Sequence, residues 1–388
     1  MRITEVETLP LDRYLFVQVH TDEGIIGLGE SGVWGYLEAS EQVIKKFAHY
    51  LVGQDPLKIE HHWQYLYRWS YFRGAAIMGA ISAIDIALWD IAGKHFGVPA
   101  HQLLGGPCRD RARAYLHVFG STTEELVEGC LEAKERGFTA VGHLTPFLDE
   151  SHEVPYFETH AQKIGRAVER VGRYRQAVGD EVDLCIEIHR RLTPAEAVVL
   201  GTEIEQFRPF FLEDPIPPDN FDMMAEVAAK LRVPIATGER LHTIDEFAML
   251  LARGAVQYVR PDVCLAGGLT QCKKIAALAE AHDVQVVPHN PLGPVSTAAC
   301  LQLAACIPNF ALQEYPLGER VVGRGSDGSV RASAGLVEET VVVEGGFLRI
   351  PTAPGIGVRL AEDARERFPY RPRLPDTRWH LDGSVVDQ

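Results

Sequence analysis

Short apolar runs alternate with amphipathic segments along most of the chain after residue 110. Between most of these runs, apolar residues recur at i, i+3, i+4 and i+7, as in EELVEGCLEAKERG, which indicates helices. Strands that alternate with helices favour a parallel sheet, and eight strands in about 200 residues favour a closed α/β barrel. The eight apolar runs lie at 111–117, 139–144, 183–189, 209–214, 234–239, 258–263, 285–290 and 311–316.

The first 110 residues have a different pattern. Two extended segments, ITEVETLPL and YLFVQVHTDEGIIGLGE, precede helical stretches such as AIMGAISAIDIALWDIAGKHFG, which predicts an α+β domain. These strands are too few to be stable alone, and the extended segments of the tail, VVVEGGFLRIPTAPGIGVRL, have no barrel position left. We therefore expect an α+β domain over 1–112, a barrel over 113–335, and a segment over 336–388 that joins the first domain over the barrel mouth.

Composition narrows the class of partner. The net charge of −15 and the absence of a basic block argue against nucleic acid or an anionic membrane as a partner. The N-terminus lacks the apolar core of a signal peptide, and no later run is expected to approach a membrane span. Seven scattered cysteines without a CxxC pair indicate reduced core thiols, so we expect a cytoplasmic protein. The negative net charge does not exclude acidic substrates, because a bound metal can reverse the local charge.

Acidic residues stand at the ends of three successive predicted strands. Glu187, Glu213 and Glu239 are spaced 26 residues apart, which is one strand–helix unit. Single acids at strand ends are often exposed helix caps, but three in register on apolar strands favour one cavity, since the carboxyl ends of barrel strands line the active site. Close carboxylates cannot all stay charged without a cation, and oxygen ligands suit Mg²⁺.

The next three strands also end in ionisable residues, namely Asp262, His289 and Glu314. Within the third strand, Glu187 and His189 are two residues apart, and residues at i and i+2 of a strand share a face. Six consecutive strands are therefore expected to direct ionisable groups at one cavity.

Several stretches carry a family resemblance. They are CIEIHRRLTPAEA, FFLEDPIPP, IATGER, VRPDVCLAGGLT, VVPHNPLGP, ALQEYP and AIDIALWDIAGKHFGVPAHQLLGG. Together they resemble the enolase superfamily, in particular its mandelate racemase-like branch and the sugar-acid dehydratases within it. The resemblance covers nearly the whole chain. It implies an α+β capping domain over a (β/α)7β barrel, one Mg²⁺ ion (or Mn²⁺), and removal of a proton next to a carboxylate.

The resemblance also implies a role for each residue at the strand ends. The first ligand is usually Asp in this family, so the longer Glu187 is expected to shift the metal or the strand end slightly. The implied roles are metal ligands for Glu187, Glu213 and Glu239, an acid–base dyad for Asp262 and His289, and a hydrogen bond to the substrate carboxylate for Glu314.

The second strand lacks a lysine that some members of this family use as a base. They carry a K-x-K pattern, whereas this chain has VGHL, with Gly142 and Leu144 at the expected lysine positions. His289 is then the one strong base at C2, which disfavours racemisation and favours dehydration with His189 as the acid that protonates the departing C3 hydroxyl. If the register of this strand differs by one residue, His143 points inward and supplies a second base.

Substrate contacts are predicted in the loop 145–160, after the second strand, and in two lid segments of the capping domain, GESGVWGY and WSYFRGA. One of the two arginines after His189 is expected to reach the substrate, with Arg191 preferred and Arg190 as the alternative. The other candidate contacts are His143, His152, Tyr156 and His160, and Trp34, Tyr36 and Arg73 in the lids.

The combined pattern predicts a Mg²⁺-dependent hydro-lyase that converts an aldonic acid, such as galactonate or gluconate, into a 2-keto-3-deoxy acid. We expect a homo-oligomer. An epimerase or a lactone cycloisomerase would share the metal and His289 without needing His189 as an acid. A non-catalytic sugar-acid binder would have no need of the Asp262–His289 dyad.

Overall fold

The computed structural model describes residues 1–147, 153–316 and 335–387. The chain begins with an antiparallel sheet in the order β1–β2–β3. Alternate residues of the central strand point to opposite faces: Leu15, Val17 and Val19 pack against helices of this domain, whereas Phe16 packs with the barrel core. The sheet therefore lies between the two cores. Its strands are β1 (Ile3–Leu11), β2 (Tyr14–Thr21) and β3 (Ile26–Ser31).

Four helices complete the capping domain: α1 (Leu37–Leu51), α2 (Ile59–Trp69), α3 (Ala75–Phe96) and α4 (Ala100–Leu103). By length and composition α3 could cross a membrane, so the expectation that no run approaches a membrane span is wrong on that count. In the structure, 78% of its apolar window is buried. The helix packs along β3 and α1 and against the barrel, which explains why it is apolar almost all round.

Eight parallel strands form the barrel, and each predicted strand is confirmed. From β4 to β10 every strand pairs with the next one along the chain. β11 pairs with β4, and a bridge between Val286 and Phe310 links β10 to the segment before β11. The strands are β4 (Arg111–His117), β5 (Ala140–Leu144), β6 (Asp183–Glu187), β7 (Phe211–Glu213), β8 (Ile235–Thr237), β9 (Tyr258–Val259), β10 (Gln285–Val286) and β11 (Gln313–Tyr315).

The barrel helices begin in two different ways. Before α5 to α9, a side-chain oxygen accepts an N–H of the first turn; the capping residues are Thr122, Thr159, Thr193, Asn220 and Thr243. α10 and α11 follow Gly267 and Gly293, which have no side chain to offer. The helices are α5 (Thr123–Glu135), α6 (His160–Val178), α7 (Pro194–Ile204), α8 (Phe221–Lys230), α9 (Ile244–Leu251), α10 (Gly268–Ala281) and α11 (Pro294–Cys306).

The described part of the tail is divided between the two ends of the barrel. β13 pairs antiparallel with residues 111–113 at the start of β4, far from the strand ends, so the expectation of one segment over the mouth does not hold for this hairpin. Residues 111–113 come before the part of β4 that pairs with β11, so β11 does not cover this part of the strand edge and β13 can pair there. Later residues return to the capping domain, where the Ile356 N–H donates to Asp90. The tail elements are β12 (Val343–Glu344), β13 (Phe347–Arg349), α12 (Ala364–Arg367), β14 (Arg378–Trp379) and β15 (Val385–Val386).

Candidate active site

Three carboxylates meet at the carboxyl ends of neighbouring strands. Glu187 and Glu213 are the last residues of β6 and β7 and are opposite each other in the parallel ladder. Glu239 comes two residues after β8. Glu187 and Glu213 are each 3% exposed. The structure thus brings together the three acids with the 26-residue spacing.

Two of these carboxyl groups are hydrogen-bonded to each other, Glu187 to Glu213. Burial, reinforced by the charges of Glu213 and Glu239, holds the pKa of Glu187 well above its usual range. Burial also raises the pKa of Glu213 to about 8, although Arg260 opposes this shift. Two buried carboxyl groups in contact need a shared proton or a cation between them, so this arrangement favours cation binding.

A possible position for the cation lies beside Glu187, His189 and Glu239, because one ligand atom from each lies within 4.8 Å of the others. The backbone N–H of His189 donates to Glu187 Oε1 at 2.8 Å, and the ring nitrogen Nε2 of His189 is 3.9 Å from the same oxygen. Glu213 is instead paired with Arg260. The two carboxylates of this set, Glu187 and Glu239, offer the oxygen ligands that a hard divalent cation prefers.

Arg260 is a buried cation that the sequence reasoning missed. Its side chain is 1% exposed and forms ion pairs with Glu213 on one side and Glu314 on the other. Arg260 comes two residues before Asp262, in VRPDV. Residues two apart on a strand share a face, so this spacing could have placed Arg260 in the same cavity as Asp262. Arg260 therefore links the carboxylate cluster to the last barrel strand.

His289 and Asp262 form a hydrogen-bonded pair. His289 Nδ1 lies 2.8 Å from Asp262 Oδ2, and Asp262 Oδ1 accepts the Cys264 N–H at 2.7 Å. His289 Nε2 points at the carboxylate cluster, 3.4 Å from Glu239 Oε2. Burial opposes the charged ring, but the hydrogen bond to Asp262 and the charges of Glu239 and Glu314 outweigh it and raise the pKa of His289 to about 9. The ring is thus a strong base beside the cation position.

Glu314 is held by three donors. Its Oε1 lies 2.5 Å from His117 Nε2, and its Oε2 accepts from the Asn290 N–H at 2.7 Å and from Arg260. Burial favours the neutral acid, but Arg260 and His117 outweigh it and hold the pKa of Glu314 well below its usual range. His117 ends β4 and was also missed, although it ends an apolar strand as the other candidates do.

The backbone of β5 explains how His143 reaches the site. The ladder with β6 is irregular between Val141 and Leu144, where one extra residue is inserted, and His143 has φ of 59°. Leu144 therefore packs in the layer between barrel and helices, so the expectation that it points inward is wrong. Gly142 does face the interior, but a Cβ there would collide with the Tyr115 ring, which leaves no room for lysine.

Three imidazole rings line the mouth side by side. The His143 ring stacks on His117 with centroids 5.0 Å apart and meets His189 edge to face at 5.2 Å. Desolvation, reinforced by His143 and Arg191, keeps the pKa of His189 well below its usual range. His189 is therefore neutral in the resting site, and its imidazolium form would readily give up a proton.

The two arginines after His189 point in different directions. Arg190 Nη1 lies 3.4 Å from Glu239 Oε1, whereas Arg191 Nη1 donates to the Phe147 carbonyl at 3.0 Å. Arg190 is thus the one that contacts the carboxylate cluster, and a substrate contact by Arg191 stays a prediction.

The predicted lid residues remain accessible. Trp34 is 43% exposed and Tyr36 is 68% exposed. The guanidinium of Arg373, in the tail, lies 3.8 Å from the Trp34 ring centroid, while that of Arg73 lies over the Tyr67 ring. Their roles as substrate contacts stay predictions.

The loop after β5 is described in part. His152 lies outside the described residues, and His160 is exposed at the start of α6. The Tyr156 N–H donates to the Trp379 carbonyl at 3.1 Å, and its ring lies 5.3 Å from that of His380. This loop therefore contacts the C-terminal segment.

Comparison with known proteins agrees with this geometry. The family models for the mandelate racemase/muconate lactonizing enzyme N-terminal domain and for the enolase C-terminal domain-like family match residues 3–105 and 125–364. The D-galactonate dehydratases of Verminephrobacter eiseniae and Ralstonia pickettii are each 38% identical to this chain, with both chains covered in full. The crystal structure of an enolase from Agrobacterium radiobacter, bound to sodium and L-malate, has a TM-score of 0.92 at 29% identity, with full coverage of both chains.

Proposed function

Because the chain belongs to the mandelate racemase/muconate lactonizing enzyme family of enolase-like proteins, we propose that it dehydrates an acid sugar by removing the C2 proton and the C3 hydroxyl. The chain is a sugar-acid dehydratase, and the names of its relatives make D-galactonate the first substrate to test. One observation carries the proposal. The His289 ring, bonded to Asp262 through Nδ1, directs Nε2 at the carboxylate cluster, and removal of a proton next to a carboxylate needs a base beside a cation.

We propose Mg²⁺ as the cofactor, with Mn²⁺ as an alternative. Glu187, Glu213 and Glu239 would hold it, and the hydrogen-bonded Glu187–Glu213 pair fits this role because its raised pKa values reflect charge that a cation would stabilise. When bound, the cation stabilises the negative charge that develops on the substrate carboxylate.

The chain's own residues account for both proton transfers. His289 Nε2 accepts the C2 proton, and Asp262 stabilises the resulting imidazolium through the 2.8 Å hydrogen bond. The electron pair of the C2–H bond forms the C2–C3 double bond through an enediolate, and the C3–O bond breaks. His189, protonated from solvent, gives that proton to the departing hydroxyl, which leaves as water, and the ring returns to the neutral form that its surroundings favour. The enol then takes up a proton at C3 and becomes the 2-keto-3-deoxy acid.

Glu314 orients the carboxylate end of the substrate in this scheme. His117 Nε2 lies 2.5 Å from Glu314 Oε1, so this hydrogen bond fixes the two side chains relative to each other at the end of the site where the substrate carboxylate would bind. Arg260 and the Asn290 N–H hold the other Glu314 oxygen in place.

Epimerisation at C2 is a second candidate, and the position of His143 favours it. The His143 ring enters the mouth from β5, whereas His289 enters from β10, and these strands are not neighbours in the sheet. His143 could therefore return a proton to C2 from a direction other than that of His289.

A substrate screen tests the function. Purified protein with Mg²⁺ is incubated with D-galactonate, D-gluconate and other aldonic and aldaric acids, and 2-keto acid formation is measured. We expect dehydration of D-galactonate or of a stereoisomer, without inversion at C2. No 2-keto acid from any acid sugar would contradict the proposal, and inversion at C2 without dehydration would establish the epimerase.

We also propose that the protein is a cytoplasmic homo-oligomer. All seven cysteines are free and six of them are buried, which supports a reducing compartment. Light scattering at several protein concentrations tests the assembly, and a monomer at all of them would contradict it.

A further inference from the structure

The two barrel helices behind the acid–base pair are capped by the other domain. α10 and α11 follow the strands that carry Asp262 and His289, and neither has an N-cap side chain of its own. An N-cap side chain stabilises the helix that follows it, and α5 to α9 each have one nearby in sequence. The first-turn N–H groups of α10 and α11 are bound instead by Asp85 and Glu30 of the capping domain.

Glu30, near the end of β3, binds the start of α11. Its Oε1 accepts the Gly293 N–H at 2.7 Å, and its Oε2 accepts the Ser296 N–H at 2.8 Å. A Cβ on Gly293 would lie 2.7 Å from Glu30 Oε1, so glycine permits this approach. Glu30 is completely buried, and burial raises its pKa to about 8 although the two N–H groups oppose this. Such a group is costly to bury, and its contacts are specific to α11.

Asp85, on α3, binds the start of α10 in the same way. Its Oδ2 accepts the Thr270 N–H at 3.0 Å, and its Oδ1 accepts the Thr270 hydroxyl. Ser82 on the same helix accepts the Gly267 N–H at 2.9 Å. Gly268 has φ of 74° and a Cβ there would collide with Asp85, so this turn is shaped around the Asp85 carboxylate.

The capped turns lie close to the acid–base pair along the chain. α10 begins six residues after Asp262, and α11 begins five residues after His289. A third contact reaches the pair itself: the Gly32 N–H donates to the Cys264 carbonyl at 2.8 Å, and the Cys264 N–H donates to Asp262 Oδ1 at 2.7 Å. The capping domain therefore holds both loops that carry the pair.

We infer that Glu30 and Asp85 are positioning residues, which couple docking of the capping domain to the geometry of the Asp262–His289 pair. This inference rests on the proposed function, in which His289 is the base. Neither carboxylate acts on the substrate, because each acts through the first turn of a barrel helix. A barrel with a displaced capping domain would lose the caps of both helices behind its base.

Asp90 provides a matched control. It is a buried carboxylate on the same helix, α3, and it accepts the N–H groups of Leu28 at 2.9 Å and Ile356 at 2.8 Å and pairs with Lys94. These contacts hold β3 and the tail to α3, and they do not involve α10 or α11. Its loss should therefore weaken the capping domain without reaching the acid–base pair.

The test compares Glu30→Gln, Asp85→Asn and Asp90→Asn in the full chain, because an amide keeps the shape but replaces one acceptor with a donor. The first readout is the NMR signal of the His289 Nδ1–H in ¹⁵N-histidine-labelled protein, assigned by its loss in His289→Asn. The second is kcat and KM for D-galactonate with Mg²⁺. We expect Glu30→Gln and Asp85→Asn to shift the signal and lower kcat roughly 10- to 100-fold with KM little changed. Asp90→Asn should lower the melting temperature and leave the signal and kcat unchanged.

The inference would be overturned if Glu30→Gln and Asp85→Asn lost stability but kept the NMR signal and kcat of the wild-type protein, which is the result expected of Asp90→Asn. If Glu30→Gln does not fold, Gly293→Ala disturbs the same contact from the barrel side, since φ of −81° suits alanine. An unchanged signal in folded Gly293→Ala would also overturn it. The NMR readout needs neither substrate nor metal. An unchanged signal would therefore overturn the inference without touching the proposed function, and a failed substrate screen would overturn the proposed function without touching the NMR result.

Discussion

The imidazole rings of His143 and His189 meet edge to face at the barrel mouth, with centroids 5.2 Å apart and planes at 65°. Both residues have positive φ, 59° and 53°. For a residue other than glycine this conformation costs about 1 kcal/mol or more, and it persists where the surroundings hold it. The strain on two neighbouring strands thus brings two titratable rings together.

His143→Phe tests what this contact does. Phenylalanine keeps an aromatic ring against His189 but cannot transfer a proton, so we expect dehydration to continue at a reduced kcat. The variant should be compared with Phe119→Leu, which alters another ring beside His143, one that does not titrate. Loss of dehydration as complete as in His189→Asn would instead make His143 a proton donor or acceptor in the reaction.

Variants of the two proposed proton-transfer residues, His289 and His189, should lose different parts of the reaction. His289→Asn should abolish dehydration and any exchange of the C2 hydrogen with deuterated solvent, because both need the base. His189→Asn should lower dehydration by about 10²–10⁴-fold, as expected for a lost general acid. It can still exchange C2 hydrogen with retention of configuration, which proton NMR in D₂O detects. A His189→Asn enzyme that dehydrates at the wild-type rate would remove His189 from the mechanism.

Activity should require a divalent cation. We expect excess chelator to abolish dehydration and added Mg²⁺ or Mn²⁺ to restore it. Added Mg²⁺ should also raise the melting temperature of the wild-type protein, because a ligand that binds the folded state stabilises it. Glu213→Gln should weaken this stabilisation, whereas Glu226→Gln, on the exposed face of α8, should not. Full activity in chelator, or equal metal affinity in both variants, would count against the metal site.

Residues on regular strands could be predicted from the sequence, and those that depend on irregular backbone could not. The 26-residue spacing places Glu187 and Glu213 correctly because strand ends in a parallel ladder are in register. The inward turn of His143 depends on one inserted residue, which no periodicity reveals. The ion pairs of Arg260 depend on distances across the barrel.

The tail shows the same limit. β13 has the extended pattern that the sequence predicts, but its partner is the start of β4, more than 200 residues earlier in the chain. The choice between the two ends of the barrel depends on which strand edge is left unpaired, and that is known only from the assembled sheet.

Arg260→Met should destabilise the protein strongly. The side chain is buried between Glu213 and Glu314, and removing it leaves two buried carboxylates without their cation. Breaking such a buried pair costs about 3–5 kcal/mol, measured as the free energy of unfolding in urea. Arg349→Met, which removes the exposed pair with Glu344, should cost about 0–1 kcal/mol. Similar losses for both variants would contradict the role given to Arg260.

The folding stability that depends on protonated Glu30 should fall as the pH rises. Burial raises the pKa of Glu30 from 4.5 to about 8, so between these values the folded state binds a proton that the unfolded state has released. Folding stability from this group is therefore fully present below about pH 4.5 and falls as the pH rises to about 8, by about 1.4 kcal/mol for each unit of pKa difference at most.

Glu30→Gln removes this titration, so its destabilisation relative to wild type should be largest near about pH 5 and smaller near about pH 8. Urea unfolding of both proteins at the two pH values measures the difference. Asn220→Ala is the control, because it removes an amide cap of α8 that does not titrate, and its cost should be the same at both pH values. An equal cost of Glu30→Gln at both pH values would mean that Glu30 does not titrate in this range, and a larger cost at the higher pH would mean that the α11 N–H groups bind it as a carboxylate.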